Sequence, residues 1–276
     1  MKNQVIELSK HYKVQGGMLT VYAADYPFDE PCIDWRRPAV VIVPGGGYSM
    51  CSKREGETVG FKFLAKGFNA FVLEYMCEPD GVYYPEQLLE LAVSVDYIRK
   101  NAEKFNTNPD EIFAVGFSAG GHLAASLSTD HTIAQEFYDG DIDPHLTGAG
   151  LIYPVVSDKY SHGDSHDNLF KHAPEGYKEK YIPLTRMDSR VCQRTAPAYI
   201  FSTFGDSVVP SLNALKYAQA MAQNGIQYEL HVYKNGDHGM STGDCEVNFD
   251  NSGFSRNQAW VDDCAAFFRD FVKETI

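Results

Sequence analysis

The chain has 276 residues, with 24 Lys and Arg against 37 Asp and Glu for a net charge of −13, and hydrophobic and charged fractions of 44% and 22%. Those proportions are typical of soluble globular proteins and exclude wholesale disorder, and the length suffices for a core that needs no disulfides. The acidic balance argues against nucleic acid or an acidic membrane face as the main partner, because polyanion binding is dominated by Lys and Arg.

The opening residues, Met1-Lys2-Asn3-Gln4-Val5-Ile6-Glu7, show no apolar stretch of signal-peptide length and no small-residue cleavage site. No apolar run approaches the roughly 18 residues of a spanning helix. Six cysteines (Cys32, Cys51, Cys77, Cys192, Cys245 and Cys264) are scattered without a C-x-x-C pair. Reduced thiols in a cytoplasmic protein are therefore expected, rather than a metal ribbon or a disulfide scaffold.

In chain order, the residues before Lys10 and those at 19–24 have no helix between them, which predicts antiparallel edge strands. Residues 39–43 form a continuous apolar run ended by Pro44 and three glycines, and 69–75 form a second. Leu88, Leu91, Val95 and Ile98 recur at helical spacing, with Pro109 placed in the loop after that helix. Further strands are predicted at 111–116, 148–153, 197–203 and 228–233. Trp260, Cys264, Phe267, Phe268 and Phe271 then share one face of a C-terminal helix, opposite Asp262, Asp263, Arg269 and Asp270. Short apolar strands alternating with crossover helices predict a mostly parallel α/β sheet covered on both faces. From about 157 to 195 the chain turns polar and loses its period, as a lid or binding loop does. The expectation is a single domain over 1–276 carrying that one lid-like insertion.

The strand at 111–116 runs directly into Gly116-Phe117-Ser118-Ala119-Gly120-Gly121-His122. In G-x-S-x-G the serine sits on a sharp strand-to-helix turn, where side chains at either glycine would collide with the neighbouring strand and helix. The turn lifts the Ser118 hydroxyl clear of the sheet, and the helix N-terminus points N–H groups at a developing anion. Upstream, Pro44-Gly45-Gly46-Gly47-Tyr48 ends the strand at 39–43. A bare glycine run there lets backbone N–H groups face a substrate carbonyl oxygen, and no Gly-Lys-Ser/Thr follows to make it a phosphate loop. The oxyanion hole is assigned to the N–H groups of Gly46, Gly47 and Ala119, to within one position of the glycine run.

An attacking serine needs a base, and the base needs an orienting acid, in the chain order Ser, Asp/Glu, His with each in a loop after a strand. Asp206 follows the strand at 197–203 and His238 follows the strand at 228–233, so both places are filled. The rival acids are Asp237 and Asp244, but Asp237 adjoins the histidine and could hardly reach its far ring nitrogen. His231 falls inside a strand pattern, and His122, just past the serine turn, is expected to support the start of the helix. His162, Asp164, His166 and Asp167 are all metal-ligand types, yet they match no H-E-x-x-H spacing, and a solvated lid is favoured. No metal or organic cofactor is expected. Glu55, with Arg54 and Glu57, is a candidate substrate contact whose plainer role is helix capping. Tyr48, with Tyr83 and Tyr84, is a candidate for lining the pocket, against simple packing.

The strings Val43-Pro44-Gly45-Gly46-Gly47-Tyr48, Arg54-Glu55-Gly56-Glu57, 116–123 (GFSAGGHL), Asp206 with Val209-Pro210, and His238-Gly239-Met240 resemble bacterial α/β-hydrolase esterases. The nearest group is the one labelled acetyl-xylan esterase or sugar hydrolase, related to the hormone-sensitive-lipase branch. The likeness runs from about residue 20 to residue 271 and is poorest across the insertion. It implies an α/β-hydrolase fold with Ser118 as nucleophile, Asp206 as acid, His238 as base and the oxyanion hole near Gly46 and Gly47. Pro44 stands where the lipase branch has a histidine, so lipase-like substrate preferences are not implied.

The combined expectation is a serine carboxylesterase that removes short acyl groups, acetyl foremost, from a carbohydrate or other small ester through an acyl-enzyme. Its partner is a small-molecule ester, with homo-oligomerisation left open. The rival readings are a prolyl-oligopeptidase-like peptidase, an aryl-formamide hydrolase, and a non-catalytic hydrolase fold that binds a small molecule.

Overall fold

In the computed structural model, which describes residues 1–27, 29, 35–160 and 164–273, the chain opens on β1 (Lys2–Glu7) and β2 (Met18–Ala23). There follow β3 (Arg37–Val43), α1 (Glu57–Ala65), β4 (Asn69–Glu74), α2 (Glu86–Lys100), β5 (Thr107–Phe117), α3 (Ser118–Thr129) and α4 (Thr132–Phe137). The second half carries β6 (Gly148–Ile152), α5 (Asp164–Phe170), α6 (Tyr177–Tyr181), β7 (Ala198–Thr203), α7 (Leu212–Gln223), β8 (Tyr228–Tyr233) and α8 (Ala259–Arg269). The strands form one sheet in the order β1-β2-β4-β3-β5-β6-β7-β8. The β1–β2 and β2–β4 pairs are antiparallel and the other five are parallel. The sheet is therefore mostly parallel with antiparallel N-terminal strands, as the patterning predicts.

The central strands are apolar on both sides because both sides are covered. Ala39, Val41 and Val43 of β3 join one core with Leu91, Val95 and Ile98 of α2 and Leu123 of α3. Val40 and Ile42 of the same strand join the other core, with Phe63 of α1 and Trp260, Cys264 and Phe268 of α8. That period-2 alternation reads as a continuous hydrophobic run in sequence because neither face meets water. One boundary departs from expectation. Pro109, placed in a loop, lies inside β5, where the pairing with β3 slips between Arg37 and Ala39. A proline fits such an irregularity because the missing N–H has no ladder partner to disappoint.

The parallel strands β3, β5, β6 and β7 end at one edge of the sheet, and the loops after them, with the loop after β8, gather there. The segment between β6 and β7 is helical in part, with α5 and α6 and three-residue and four-residue 3₁₀ turns. Asp164, Ser165 and His166 of α5 face the cavity at that edge. Among the described residues no helix is long and apolar enough to cross a membrane. Cys51, Cys77, Cys192, Cys245 and Cys264 are free thiols, and Cys32 lies outside the described residues.

Candidate active site

Ser118 is the hinge between β5 and α3, and it holds φ at 52°, a left-handed conformation that a non-glycine residue adopts only under constraint. Tight packing supplies the constraint. A Cβ on Gly120 would lie 2.2 Å from the carbonyl oxygens of Val43 and Pro44, and one on Gly116 would lie 2.3 Å from the carbonyl oxygen of Gly120. The two glycines let α3 start hard against β3 and β5, so the serine is driven outward to the sheet edge.

The loop after β8 brings the His238 imidazole to that edge, with Nε2 2.8 Å from Ser118 Oγ. The loop after β7 brings Asp206, whose Oδ2 lies 2.7 Å from His238 Nδ1. The other oxygen, Oδ1, accepts from the backbone N–H groups of Val208 (2.9 Å) and Val209 (2.8 Å). The Asp206 carboxylate is thereby buried and fully engaged. A hydroxyl, a base able to take its proton and an acid that fixes the base's tautomer are thus in one hydrogen-bonded line, the arrangement that makes a serine oxygen nucleophilic. The rival acids lie elsewhere. Asp244 pairs with Lys62 at 2.9 Å, and Asp237 lines a separate cavity beside the histidine.

Gly46 and Gly47 form the wall facing Ser118, with φ of 129° and 63°. At Gly46 a Cβ would sit 2.1 Å from the Met50 carbonyl oxygen, so the turn admits no side chain. Among the described residues the N–H groups of Gly46 and Gly47 meet no protein acceptor, whereas the Gly45 N–H is committed to Glu55 Oε2 at 2.9 Å. The Ala119 N–H belongs to the first turn of α3, where no helical partner exists. These three N–H groups are what the glycine loop leaves free for a developing negative charge.

The cavity at Ser118 has a volume of about 600 Å³, with Met50, Val155, Val208 and Val209 supplying apolar wall. A second cavity of about 690 Å³ meets it at His238 and is bounded by Arg54, Asp237, Asn248 and the fully exposed ring of Phe249.

Of the two candidate substrate contacts, Tyr48 is corrected. It is buried, and its hydroxyl donates to His122 Nδ1 at 2.6 Å while His122 Nε2–H donates to the Thr185 carbonyl at 2.8 Å. Burial pushes the His122 imidazole down to about 3, so the pair is a neutral strut beneath the glycine loop. Glu55 does border the cavity, but both its oxygens are occupied, by Gly45 N–H and by the Tyr153 hydroxyl at 2.7 Å. Its two hydrogen bonds tie it to the glycine loop and to Tyr153. Tyr153, at the end of β6, passed unnoticed in the sequence; its ring packs edge-on against the His238 imidazole with centroids 5.0 Å apart.

In the acidic and histidine-rich cluster, His162 lies outside the described residues. His166 is buried rather than solvated, with Nε2 facing the Thr185 carbonyl at 3.5 Å, and Asp167 pairs with Lys178 at 2.5 Å. Among the described residues no group of three or more His, Cys, Asp or Glu side chains is placed to hold a metal ion.

A family model described as BD-FAE matches residues 32–168, and one for the prolyl oligopeptidase family matches residues 146–267. The acetylxylan esterase of Xylanibacter ruminicola is 34% identical over 211 residues, which cover 74% of this chain and 41% of that protein. Among solved structures, MGS-M1, an alpha/beta hydrolase enzyme from a Medee basin deep-sea metagenome library, superposes with a TM-score of 0.78 at 30% identity, covering 98% of each chain. The acetyl ester-xyloside bifunctional hydrolase from Caldicellulosiruptor lactoaceticus superposes with a TM-score of 0.81 at 25% identity, covering 98% of this chain and 97% of that one. The chain spans 34% and 41% of the length of two curated relatives it matches.

Proposed function

Since this chain belongs to the α/β-hydrolase family, we propose that it is a serine-dependent carboxylic ester hydrolase that removes short acyl groups, acetyl foremost, from a carbohydrate or similar alcohol. The observation that carries the reading is the unbroken line from Ser118 Oγ through His238 to Asp206, with links of 2.8 and 2.7 Å. In the first half-reaction Ser118 Oγ bonds to the ester carbonyl carbon while His238 Nε2 takes the hydroxyl proton. Asp206 holds the imidazolium, and the N–H groups of Gly46, Gly47 and Ala119 bind the oxyanion. As the carbon–oxygen bond to the alcohol breaks, His238 gives that proton to the departing oxygen. Water then attacks the acyl-serine with the same histidine as base, releasing the acid and restoring Ser118.

The leaving alcohol must lie where His238 can protonate it, and His238 also lines the second cavity. This leaves room for an alcohol larger than the acyl group, which supports a sugar ester. The likeness to an acetylxylan esterase and to an acetyl ester-xyloside hydrolase points the same way. The match of the C-terminal half to the prolyl oligopeptidase model favours a peptidase as the second reading.

The test compares p-nitrophenyl acetate and acetylated xylo-oligosaccharides with proline peptides and aryl formamides, using the native chain and Ser118→Ala. The ester reading expects turnover of acetyl esters, fluorophosphonate labelling of Ser118, and a kcat loss of about 10⁴ to 10⁶ in Ser118→Ala. Near-native turnover by a folded Ser118→Ala variant sinks it, and preferential cleavage of peptides replaces it with the second reading.

A further inference from the structure

One buried charge touches both the glycine loop and the histidine loop. Glu55, in the 3₁₀ turn before α1, is 3% exposed. Its Oε2 accepts the Gly45 N–H at 2.9 Å, at the root of the loop that presents Gly46 and Gly47. A Cβ on Gly45 would stand 2.7 Å from Glu55 Oε2 and 2.9 Å from Ser118 Cβ, so the carboxylate lies close by the serine. Its Oε1 accepts from the Tyr153 hydroxyl at 2.7 Å. The Tyr153 oxygen in turn accepts the Ser241 N–H at 2.9 Å, and its ring rests against the His238 imidazole. Ser241 lies three positions beyond His238 in the same loop, and that loop is tied back by Ser241 Oγ to the Arg54 carbonyl (2.6 Å) and by Trp260 Nε1–H to the Ser241 carbonyl (2.9 Å).

The bonds at Oε1 fit an unprotonated oxygen there. If Oε1 carried a proton, Tyr153 would accept from Glu55 and from Ser241 at once, and its own O–H would have no acceptor among the described residues. Burial, the largest influence, raises the Glu55 carboxyl above its ordinary value, and the Tyr153 hydroxyl, the Gly45 N–H, His238 and Arg54 offset that only in part. A carboxylate kept in such a place is costly unless something gains from its charge.

We propose that Glu55 is a positioning residue for ester hydrolysis: through Gly45 and Tyr153 it fixes the oxyanion loop and the His238 loop relative to each other, and its charge stabilises the imidazolium that forms as Ser118 attacks. This rests on the serine-esterase reading above. Among the described residues, the other charged or titratable groups around these two side chains include Asp206 from the loop after β7, Asp237 beside His238, Arg54 beside Glu55, Tyr75 after β4, Tyr153 just after β6, Asp164 and His166 across the cavity, and Lys53, Glu246 and Asp250 around the second cavity. Glu55→Gln leaves all of them in place and removes one charge.

The experiment measures kcat and KM for p-nitrophenyl acetate from pH 5 to 9, with fluorophosphonate labelling rate and Tm, for the native chain, Glu55→Gln, Glu55→Asp, Tyr153→Phe and Ser118→Ala. Glu55→Gln is expected to lower kcat by about 10- to 100-fold with KM within about threefold, as a misaimed oxyanion hole does. The acid limb of kcat/KM should also move about half a unit to lower pH, because an anion that favours the protonated base is gone. Glu55→Asp and Tyr153→Phe keep the charge, so each should lose kcat by about tenfold with a smaller movement of that limb. A Glu55→Gln variant with native kcat and an unmoved acid limb overturns the proposal, as does a kcat loss that follows Tm with the limb unmoved. Should Glu55→Gln fail to fold, native kcat in both Glu55→Asp and Tyr153→Phe overturns it instead. An active Ser118→Ala variant sinks the esterase reading itself, whereas an inactive one beside an unaffected Glu55→Gln sinks only the role of Glu55.

Discussion

Replacing Asp206 by Asn changes one atom and should disable the site more thoroughly than its size suggests. The Asp206 carboxylate has two separate duties, since Oδ1 accepts the N–H groups of Val208 and Val209 and Oδ2 accepts from His238 Nδ1. An Asn amide has one acceptor and one donor group. If its NH₂ turned toward Val208 and Val209 it would meet two N–H donors in a buried place, so the oxygen must stay there and the NH₂ must face His238 Nδ1. The imidazole then accepts at Nδ1 and carries its proton on Nε2, which is the nitrogen that has to receive the Ser118 proton. The base is present but in the wrong tautomer. The equivalent change in serine hydrolases lowers kcat by about 10⁴, which corresponds to about 5 kcal/mol of transition-state stabilisation. The assay is steady-state hydrolysis of p-nitrophenyl acetate at neutral pH by native, Asp206→Asn and Asp206→Ala chains, with circular dichroism to confirm folding. Asn should be at least as damaging as Ala, even though Ala removes more atoms, because Ala does not force the tautomer. A folded Asp206→Asn variant within tenfold of native kcat refutes the reasoning.

Gly120→Ala should cost about 3 kcal/mol or more of stability, because its methyl would overlap the Val43 and Pro44 carbonyl oxygens and α3 would have to lift from the sheet; urea unfolding reads the loss, and a native midpoint contradicts it. Stability should also fall as pH rises from about 4.5 to about 8, since burial pushes the Glu90 carboxyl up to about 8 from its ordinary 4.5. A carboxyl that holds its proton more tightly when folded adds stability below its unfolded value and loses it as pH climbs through the folded one, here on the order of a few kcal/mol. Glu90→Gln should flatten that slope in chemical unfolding and be the more stable chain at pH 8; parallel slopes for the two chains would exclude Glu90 as the source.

The sheet was legible because its physical cause is local. Strands buried on both faces must be short and apolar, and β3, β4, β5, β6 and β7 each announce themselves that way between turn residues. Pro109 misled because proline is judged by its missing N–H, and only the pairing of β3 with β5 reveals a slip in the ladder that spares it. The segment at 157–195 reads as polar and aperiodic because α5 and α6 are short, α5 burying only His166, Leu169 and Phe170 and α6 burying no residue, too few to establish a period.

For the site, legibility tracked how far a residue's role depends on its own backbone. Ser118, Gly46 and Gly47 advertise themselves through the turns they occupy, and Asp206 and His238 through the strand ends they follow, so the sequence could nominate four residues that line one cavity and the buried aspartate that bonds to its histidine. Tyr48 and Glu55 fall in equally conspicuous strings, but what each does is decided by partners far away in the chain. Tyr48 meets His122 across 74 positions, and Glu55 meets Tyr153 across 98. A tyrosine near a glycine loop suggests a pocket wall until a histidine from α3 claims its hydroxyl. A glutamate at the start of a helix suggests a cap until the loop preceding it folds back over the carboxylate. No periodicity or spacing encodes either contact, because each depends on β3, β5 and β6 already lying side by side. Residues that organise a site from beneath are thus the ones a single sequence hides, and their substitution should change rate and pH dependence while leaving the recognisable motifs intact.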